Sequence, residues 1–246
     1  MERFSRTRCF LGDEKFTRLQ QAMVTIVGIG AVGGYAAEGL ARAGVGHLRL
    51  VDFDTIQPSN INRQILALDS SIGQPKVAAA QERINLINPG CRVEPLQLFA
   101  AEETLDEILS PPPDVLIDAI DSLNPKIQLL AGAHHRNIPT YSSMGAALRT
   151  DPAKITSGDI MGSSHCPLAK HVRNRLRRQG IDGGIQCVYS TEQVEFDYQG
   201  PEEGGPPASP YEDRGRKRNV LGSLPTITGI FGLILANEVL LHLTGE

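Results

Sequence analysis

A glycine loop followed by two basic residues in the first third of the chain points to phosphate chemistry. The loop reads Gly28-Ile29-Gly30-Ala31-Val32-Gly33, and Arg63 and Lys76 come after it. A guanidinium can contact two phosphate oxygens at once, whereas an ammonium acts as a compact point charge. Two such cations after an anion-binding loop are more typical of an enzyme that cleaves a triphosphate than of one that transfers a hydride.

The residues around the loop predict the strand, turn and helix of a Rossmann-like fold. Residues 23–27 form a short, β-branched apolar run, which is typical of a strand buried on both faces. Residues 31–43 are mostly small and predict a helix that Gly44 can end. In such a unit the backbone N–H groups and the helix dipole point at an anion, and the glycines let it come close. We therefore expect an α/β fold with a doubly wound sheet.

Acidic residues follow the next two strands that the pattern predicts. Asp52 ends the apolar run 47–51, and a carboxylate about 20 residues beyond the loop can bind a ribose hydroxyl. Asp121 follows the buried-strand pattern 115–118, where a carboxylate can hold magnesium. Asp54 also lies at a strand end, and ligands of open α/β sheets bind at the carboxyl ends of the strands. Up to Asp52 the pattern fits a nicotinamide- or flavin-dependent dehydrogenase equally well, so that alternative stays open.

The polar residues beyond the loop resemble the nucleotide site of the ubiquitin-activating-enzyme-like adenylyltransferases. That superfamily includes the molybdopterin-synthase and thiamine-biosynthesis adenylyltransferases. The resemblance covers about residues 1–150 and rests on four motifs: Asp52-x-Asp54, Asn60-x-Asn62-Arg63-Gln64, Lys76 thirteen residues after Arg63, and Asp118-Ala119-Ile120-Asp121-Ser122. It implies the doubly wound sheet of those enzymes, with ATP and magnesium as ligands.

The resemblance also implies a role for each matching residue. One set would bind the nucleotide: Gly28, Gly30, Gly33, Asp52, Asp54, Asn60, Gln64 and Ser122. A second set would act on the reacting phosphates: Arg63, Lys76, Asp121 as the magnesium ligand, and Arg6. Arg6 matches an arginine that reaches into the partner subunit's site, so a homodimer is implied. A lysine that faces the phosphates is expected to lie outside the core.

The length and composition suit one large α/β domain. The chain has 246 residues and a formal net charge of −4. We expect a single adenylation domain over residues 1–246, with an ATP-binding half at about 1–150 and a substrate and dimerisation half at about 151–246. No uninterrupted apolar run reaches the roughly 18 residues that would suggest a membrane span. The start of the chain lacks the apolar segment of a signal peptide. We therefore expect a cytoplasmic protein that does not bind a membrane.

The four cysteines form no C-x-x-C pair; they are Cys9, Cys91, Cys166 and Cys187. Many adenylyltransferases of the superfamily carry two such pairs around a structural zinc. The departure predicts that this chain has no structural zinc. His165, Cys166 and His171 would lack a fourth ligand. Cys187 lies in a strand-like run, so it is expected to be a core residue rather than a nucleophile.

Residues 167–178 predict an amphipathic, strongly basic helix. Pro167 can begin it, and Leu168, Val172 and Leu176 recur every four residues to make one apolar stripe. The cations around the stripe are Lys170, Arg173, Arg175, Arg177 and Arg178. No acidic residue interrupts them, so in a net-acidic chain they are typical of a surface that binds a polyanion. A solvated helix face is the alternative interpretation.

This helix, the strand-like stretch 187–192 and the stretch 220–223 are similar to the tRNA threonylcarbamoyladenosine dehydratases. The similarity implies ATP-dependent cyclisation of N6-threonylcarbamoyladenosine, next to the tRNA anticodon, through an acyl-adenylate. The stretch before the last helix lacks a cysteine that some of these enzymes carry, which weighs against a covalent enzyme intermediate there. The alternative is an adenylyltransferase for the C-terminus of a ubiquitin-like or sulfur-carrier protein, which shares every nucleotide-binding residue. A sulfur-transfer or ubiquitin-like protein partner therefore stays open.

Two features complete the second half of the chain. Residues 197–218 are rich in proline and glycine and predict a mobile crossover loop, or else a plain linker. Pro225 then begins an apolar helix expected over residues 226–243. Because this helix is apolar nearly all round, we expect it in the core or at a dimer interface.

Overall fold

The computed structural model describes residues 2–194 and 221–245, and a seven-stranded sheet lies at its centre. In chain order the strands are β1 (Met23–Val27), β2 (His47–Val51), β3 (Arg92–Leu96), β4 (Val115–Asp118), β5 (Thr140–Ser143), β6 (Ile155–Asp159) and β7 (Ile185–Ser190). Their order across the sheet is β3-β2-β1-β4-β5-β7-β6. Every pairing is parallel except β6 with β7. The carboxyl ends of β1, β2, β4 and β5 therefore share one edge of the sheet.

Helices cover both faces of the sheet, which confirms the predicted doubly wound α/β fold. They are α1 (Ser5–Gln21), α2 (Gly33–Ala43), α3 (Lys76–Ile87), α4 (Leu105–Leu109), α5 (Leu123–His135), α6 (Pro167–Arg177) and α7 (Pro225–Thr244). Successive side chains of β4 point to opposite faces of the sheet and pack in two different hydrophobic clusters. Val115 and Ile117 pack with residues of α2 and α7, whereas Leu116 packs with residues of α4 and α5. The alternation is what a strand buried on both faces requires.

The apolar helix α7 packs directly against α2. Ile227, Phe231, Leu235 and Val239 are buried in the core between the two helices and the sheet. A side chain on Gly232 would lie 2.3 Å from the Val32 carbonyl oxygen, so glycine is needed for this close approach. By length and composition α7 could cross a membrane, contrary to the expectation that no segment could. Its buried residues lie in the core, which is one of the two locations that the apolar pattern predicted.

A junction after β5 holds two distant parts of the chain together. The Leu148 N–H donates to the Gly222 carbonyl at 2.9 Å. The Glu192 carboxylate accepts from the N–H groups of Thr150 and Asp151, each at 3.0 Å. These backbone hydrogen bonds lower the pKa of Glu192 to about 2, so the carboxylate is ionised at neutral pH. The predicted loop 197–218 lies outside the described residues, between the two ends that this junction holds.

Candidate active site

The glycine loop packs so closely that two of its glycines have no room for a side chain. A Cβ on Gly33 would lie 1.8 Å from the Gly28 carbonyl oxygen. A Cβ on Gly28 would lie 2.8 Å from the Ala119 carbonyl carbon, and Gly28 also has a φ of 91°. Helix α2 begins at Gly33 rather than at residue 31. Gly44, whose φ is 101°, follows the last helical residue, Ala43, and caps the helix. The loop thus brings backbone N–H groups to the start of α2, where an anion is favoured.

Gly30 differs from the other two because it faces open space. The nearest atom to a Cβ at Gly30 would be Nε2 of Gln64, at 3.8 Å. Gln64 is 8% exposed, and its Oε1 makes no hydrogen bond within the described ranges. A buried amide with unused bonding capacity beside an open glycine is a sign of a ligand site. The Gln64 Nε2 group, which faces Gly30, is a donor, so it fits a bound phosphate group, whereas the unpaired Oε1 can accept only from a donor of the ligand.

The open space at Gly30 leads to a first prediction. Gly30→Ala should keep the thermal stability of the protein within a few degrees, yet weaken ATP binding at least tenfold, because the new methyl group would occupy ligand space. Isothermal calorimetry and thermal unfolding would measure the two effects. Gly158→Ala, on strand β6, is the matched control, since a Cβ there meets nothing within 4 Å. Equal ATP affinity in the two variants would remove Gly30 from the site.

Asp52 connects the glycine loop with the segment beyond β2. Its Oδ2 accepts from the Ile29 N–H at 2.7 Å and its Oδ1 from the Asp54 N–H at 2.9 Å. Burial raises the pKa of the Asp52 carboxyl, and the nearby Lys76 ammonium acts in the opposite direction. Each carboxylate oxygen can accept a second hydrogen bond. A ribose hydroxyl can therefore donate to Asp52 without breaking either backbone contact.

Lys76 lies deeper than the sequence predicted. It is only 5% exposed, and its Nζ is 2.7 Å from Oδ2 of Asp54 and 3.9 Å from Oδ1 of Asp52. The prediction that it lies outside the core is therefore wrong. Its backbone N–H also donates to the Asp54 carbonyl, which ties the start of α3 to the end of β2. Two carboxylates hold the ammonium at the carboxyl edge of the sheet. A triphosphate bound at this edge would compete with them for the ammonium.

Arg63 and Asn60 lie in the turn between β2 and α3. The Arg63 guanidinium donates to the Ser59 carbonyl at 2.9 Å and to Oδ1 of Asn62 at 2.8 Å. It forms no ion pair with any residue that the structure describes. The Asn60 Oδ1 accepts from the Gln57 N–H, so Asn60 holds the turn in shape. The half-buried guanidinium keeps donors available for an anionic ligand.

Asp121 projects from the turn between β4 and α5. The carboxylate is exposed, and the Ser122 hydroxyl is 3.4 Å from its Oδ1. Residues 2–194 and 221–245 hold no group of three or more histidine, cysteine or acidic side chains that could enclose a metal. Magnesium bound with a nucleotide needs only one or two carboxylates, because phosphates and water complete its shell. Asp121 fits that requirement. The prediction that zinc is absent stays a prediction.

Arg6 lies away from the other predicted catalytic residues of its own chain. The start of the chain packs against the C-terminal end of α2, where Phe4 lies 5.9 Å from the Phe16 ring and lines the space at Gly44. The glycine loop lies at the opposite end of that 11-residue helix, about 16 Å away along its axis. The structure brings Arg63, Lys76 and Asp121 to one edge and leaves Arg6, which is exposed, elsewhere.

The basic helix forms as predicted, but its cations divide into two groups. Val172 and Leu176 lie on the buried face of this helix. Arg173 points inward and donates to the carbonyl and hydroxyl of Ser163, at 2.7 and 2.5 Å. Arg175 donates to the side chain of Asn124. The exposed cations are Lys170, Arg175, Arg177 and Arg178, whereas Arg173 is half-buried. Because Asn124 follows Asp121 by three residues, the basic helix adjoins the nucleotide edge.

Sequence reasoning missed a buried ion pair beneath Asp121. Asp118 and Lys126 are both 0% exposed and are in contact through Oδ2 and Nζ. The Ser142 hydroxyl donates to the same Asp118 oxygen at 2.6 Å, and Lys126 donates to the Ser143 carbonyl at 3.0 Å. The one signal in the sequence is that Lys126 is the single lysine, arginine or acidic residue of α5. Most lysines in such a place are solvated, so the signal is weak.

Cys187 is a core residue, as predicted. It is 1% exposed, and burial raises the pKa of its thiol to about 12. A thiol with that pKa is not a nucleophile at neutral pH. Cys91 and Cys166 are buried as well, whereas Cys9 is exposed on α1.

The sheet, the glycine loop and the charged groups at one edge define a nucleotide-binding protein of the doubly wound α/β class. The chain belongs to the ThiF family, whose model matches residues 4–246. This confirms the predicted superfamily and argues against the dehydrogenase alternative.

Curated relatives and a solved structure agree with the family assignment. The chain is 43% identical to a tRNA threonylcarbamoyladenosine dehydratase of Bacillus subtilis over 192 residues, covering 78% of this chain and 76% of that one. It is 39% identical to a molybdopterin-synthase adenylyltransferase of Haemophilus influenzae over 181 residues, 73% of this chain and 68% of that one. The E. coli tRNA N6-threonylcarbamoyladenosine dehydratase in complex with ATP superposes with a TM-score of 0.85. That match has 31% identity and covers 99% of this chain and 94% of the other.

Proposed function

We propose that this protein is an ATP-dependent tRNA threonylcarbamoyladenosine dehydratase. The observation that carries the proposal is the match to the ATP-bound E. coli dehydratase over 99% of the chain, which includes the second half as well as the nucleotide site. The substrate is N6-threonylcarbamoyladenosine next to the tRNA anticodon, and the product is its cyclised, dehydrated form. A tRNA substrate supports the expected cytoplasmic location.

ATP binds at the edge where the glycine loop meets the ends of β2 and β4. Gly28, Gly30 and Gly33 receive the phosphates, and Asp52 accepts from the ribose. The remaining groups around the nucleotide are Asp54, Asn60, Gln64 and Ser122. Asp121 would hold magnesium, which would supply positive charge to the phosphates. The nucleotide assignment is supported by the crowding at Gly28 and Gly33, the open space at Gly30 and the Gln64 Nε2 donor that faces it.

The reaction has two steps. The threonyl carboxylate attacks the α-phosphate, a P–O bond forms, and pyrophosphate leaves. Arg63, Lys76 and Arg6 of the partner subunit offset the charge that grows on the phosphates. A nitrogen or oxygen of the same modified base then attacks the activated carbonyl, loses its proton, and displaces AMP. Because this second attack is intramolecular, orientation supplies much of the rate and no enzyme nucleophile is needed.

The two halves of the chain have separate tasks in this proposal. Residues 1–150 bind ATP, and residues 151–246 bind the substrate and take part in a homodimer. The exposed cations of α6 contact tRNA phosphates. The contact between Arg175 and Asn124 supports this arrangement, because it joins the basic helix to the turn that carries Asp121.

The proposal is tested with purified enzyme, ATP, magnesium and tRNA that carries threonylcarbamoyladenosine. Mass spectrometry of the digested nucleosides should show the loss of one water from the modified adenosine, dependent on ATP. Unchanged nucleosides, together with pyrophosphate exchange that requires a small carrier protein, would favour the alternative of a protein-activating adenylyltransferase.

The α6 surface gives a second prediction. Neutralising Lys170, Arg177 and Arg178 together should weaken tRNA binding and reduce the log–log salt slope by roughly one unit for each lost phosphate contact. ATP affinity should not change, since these side chains lie outside the nucleotide site. A control that neutralises Arg18, Arg92 and Lys154 removes the same charge from other exposed positions. If the two triple variants bind tRNA equally well, α6 is a solvated face. Arg173 is left intact because it holds Ser163.

A further inference from the structure

We infer that the buried pair Asp118–Lys126 is a positioning device for the nucleotide site. It fixes the turn that presents Asp121, and through that turn it supports the glycine loop. The inference rests on the proposed role of this edge in binding ATP with magnesium. Neither residue is exposed, so neither touches a ligand directly.

The two oxygens of Asp118 have separate tasks. Oδ1 accepts from the Ile120 N–H at 3.1 Å and so shapes the turn that leads to Asp121. Oδ2 accepts from Lys126 and from the Ser142 hydroxyl. Because Lys126 belongs to α5 and Ser142 to β5, the carboxylate is held from the helix on one side and from the neighbouring strand on the other. An acceptor held in this way cannot rotate away from the Ile120 N–H.

The turn held by Asp118 is also the wall against which the phosphate loop packs. The Ala119 N–H donates to the Val27 carbonyl at 2.8 Å, which joins the turn to the end of β1. A Cβ on Gly28 would lie 3.1 Å from the Ile120 nitrogen, and a Cβ on Gly33 would lie 3.3 Å from the Ala119 Cβ. A small movement of the turn would therefore displace both the metal carboxylate and the anion-binding backbone.

An ion pair suits this task better than an apolar contact. A buried charge pair is weak as a source of stability, but it tolerates only one geometry, since its charges have no solvent to compensate a displacement. Lys126 donates to Asp118, to the Ser142 hydroxyl at 3.2 Å and to the Ser143 carbonyl at 3.0 Å. The ammonium therefore sets the spacing between the carboxyl ends of β4 and β5.

Two adjacent serines provide a matched test. Both are buried at the end of β5, but only the Ser142 hydroxyl contacts Asp118, while that of Ser143 donates to the Met144 carbonyl. Calorimetric ATP binding, without tRNA, is measured over a range of magnesium concentrations. ATP affinity rises with magnesium, and Ser142→Ala should need a higher magnesium concentration than Ser143→Ala to reach half of that rise. The two variants should have comparable thermal stability. Equal magnesium dependence of the two variants would overturn the inference.

Two charge-neutral double variants extend the test to the pair itself. Asp118→Asn with Lys126→Met keeps an acceptor for the Ile120 N–H, whereas Asp118→Leu with Lys126→Met removes it. The leucine variant should need roughly tenfold more magnesium than the asparagine variant, as expected for the loss of a supporting contact behind a metal ligand. Equal values in two folded variants would show that the pair only stabilises the fold. If the leucine variant does not fold, the two serine variants decide. Failure of the wild-type protein to bind ATP at all would instead contradict the proposed function.

Discussion

Replacing Lys76 with alanine is expected to lower the rate of ATP–pyrophosphate exchange by about 100- to 1,000-fold. The ammonium is the one lysine charge that the structure places at the junction of β2, α3 and the glycine loop, and a transferring phosphate needs a fixed positive charge in that position. Exchange of labelled pyrophosphate into ATP, with modified tRNA present, measures the effect on the first step alone.

The same substitution should also lower the stability of the fold. Without the ammonium, the carboxylates of Asp52 and Asp54 lose their counter-ion, and removing one partner of a buried ion pair costs about 3–5 kcal/mol, less where a partner is partly exposed, as Asp54 is. Denaturant unfolding would show this loss. Lys76→Met combined with Asp54→Asn removes both charges of the closer pair, so it should recover stability without recovering exchange. Lys154→Ala, which removes an exposed lysine 3.7 Å from Asp151, is the surface control. A wild-type exchange rate in Lys76→Ala would contradict the assignment of Lys76 to the reacting phosphates.

Mixing two inactive variants should restore activity if the site is shared between subunits. Arg6→Ala subunits keep Lys76, and Lys76→Ala subunits keep Arg6, so each hybrid dimer holds one intact composite site. Random exchange would make half of the dimers hybrid, so activity should recover to about one quarter of the wild-type value for a symmetric dimer. The position of Arg6 beyond the far end of α2 is the physical reason to expect this.

The mixing experiment needs proof that subunits exchange. Native mass spectrometry of differently tagged chains supplies it, and two Lys76→Ala preparations mixed together serve as the control that should stay inactive. Confirmed hybrids without activity would show that Arg6 and Lys76 are needed on the same chain, which would contradict a site shared between subunits.

The sequence predicted those parts of the fold and site that depend on neighbouring residues. A β-branched run followed by closely spaced glycines specifies strand, turn and helix because the glycines alone permit the backbone contacts at Gly28 and Gly33. The buried face of α6 follows in the same way from the four-residue spacing of Val172 and Leu176, which are buried, and Leu168, which is half-buried. Such patterns are local, so one sequence is enough to read them.

The partners of the charged residues could not be predicted in that way. Nothing near Lys126 in the sequence shows that it turns inward toward Asp118, because its other contacts come from β5. Arg173 looks like any other cation of its helix, yet it holds Ser163. Lys76 has an aspartate 22 residues before it as its closest partner. In each case tertiary packing chooses the partner, and a pattern of residue types carries no information on that choice.

The junction at residues 148–151 has a consequence for how this family can vary. Glu192 contacts Thr150 and Asp151, and Gly222 contacts Leu148, so the same short segment fixes the point where the chain leaves β7 and the point where it approaches α7. Lengthening the stretch between them adds only about 0.6 kcal/mol of closure cost for each doubling. Insertions and replacements in that stretch should therefore leave the end of β7 and the start of α7 in place. A change of its length or sequence is expected to leave the ATP-binding residues, which lie elsewhere on the chain, undisturbed.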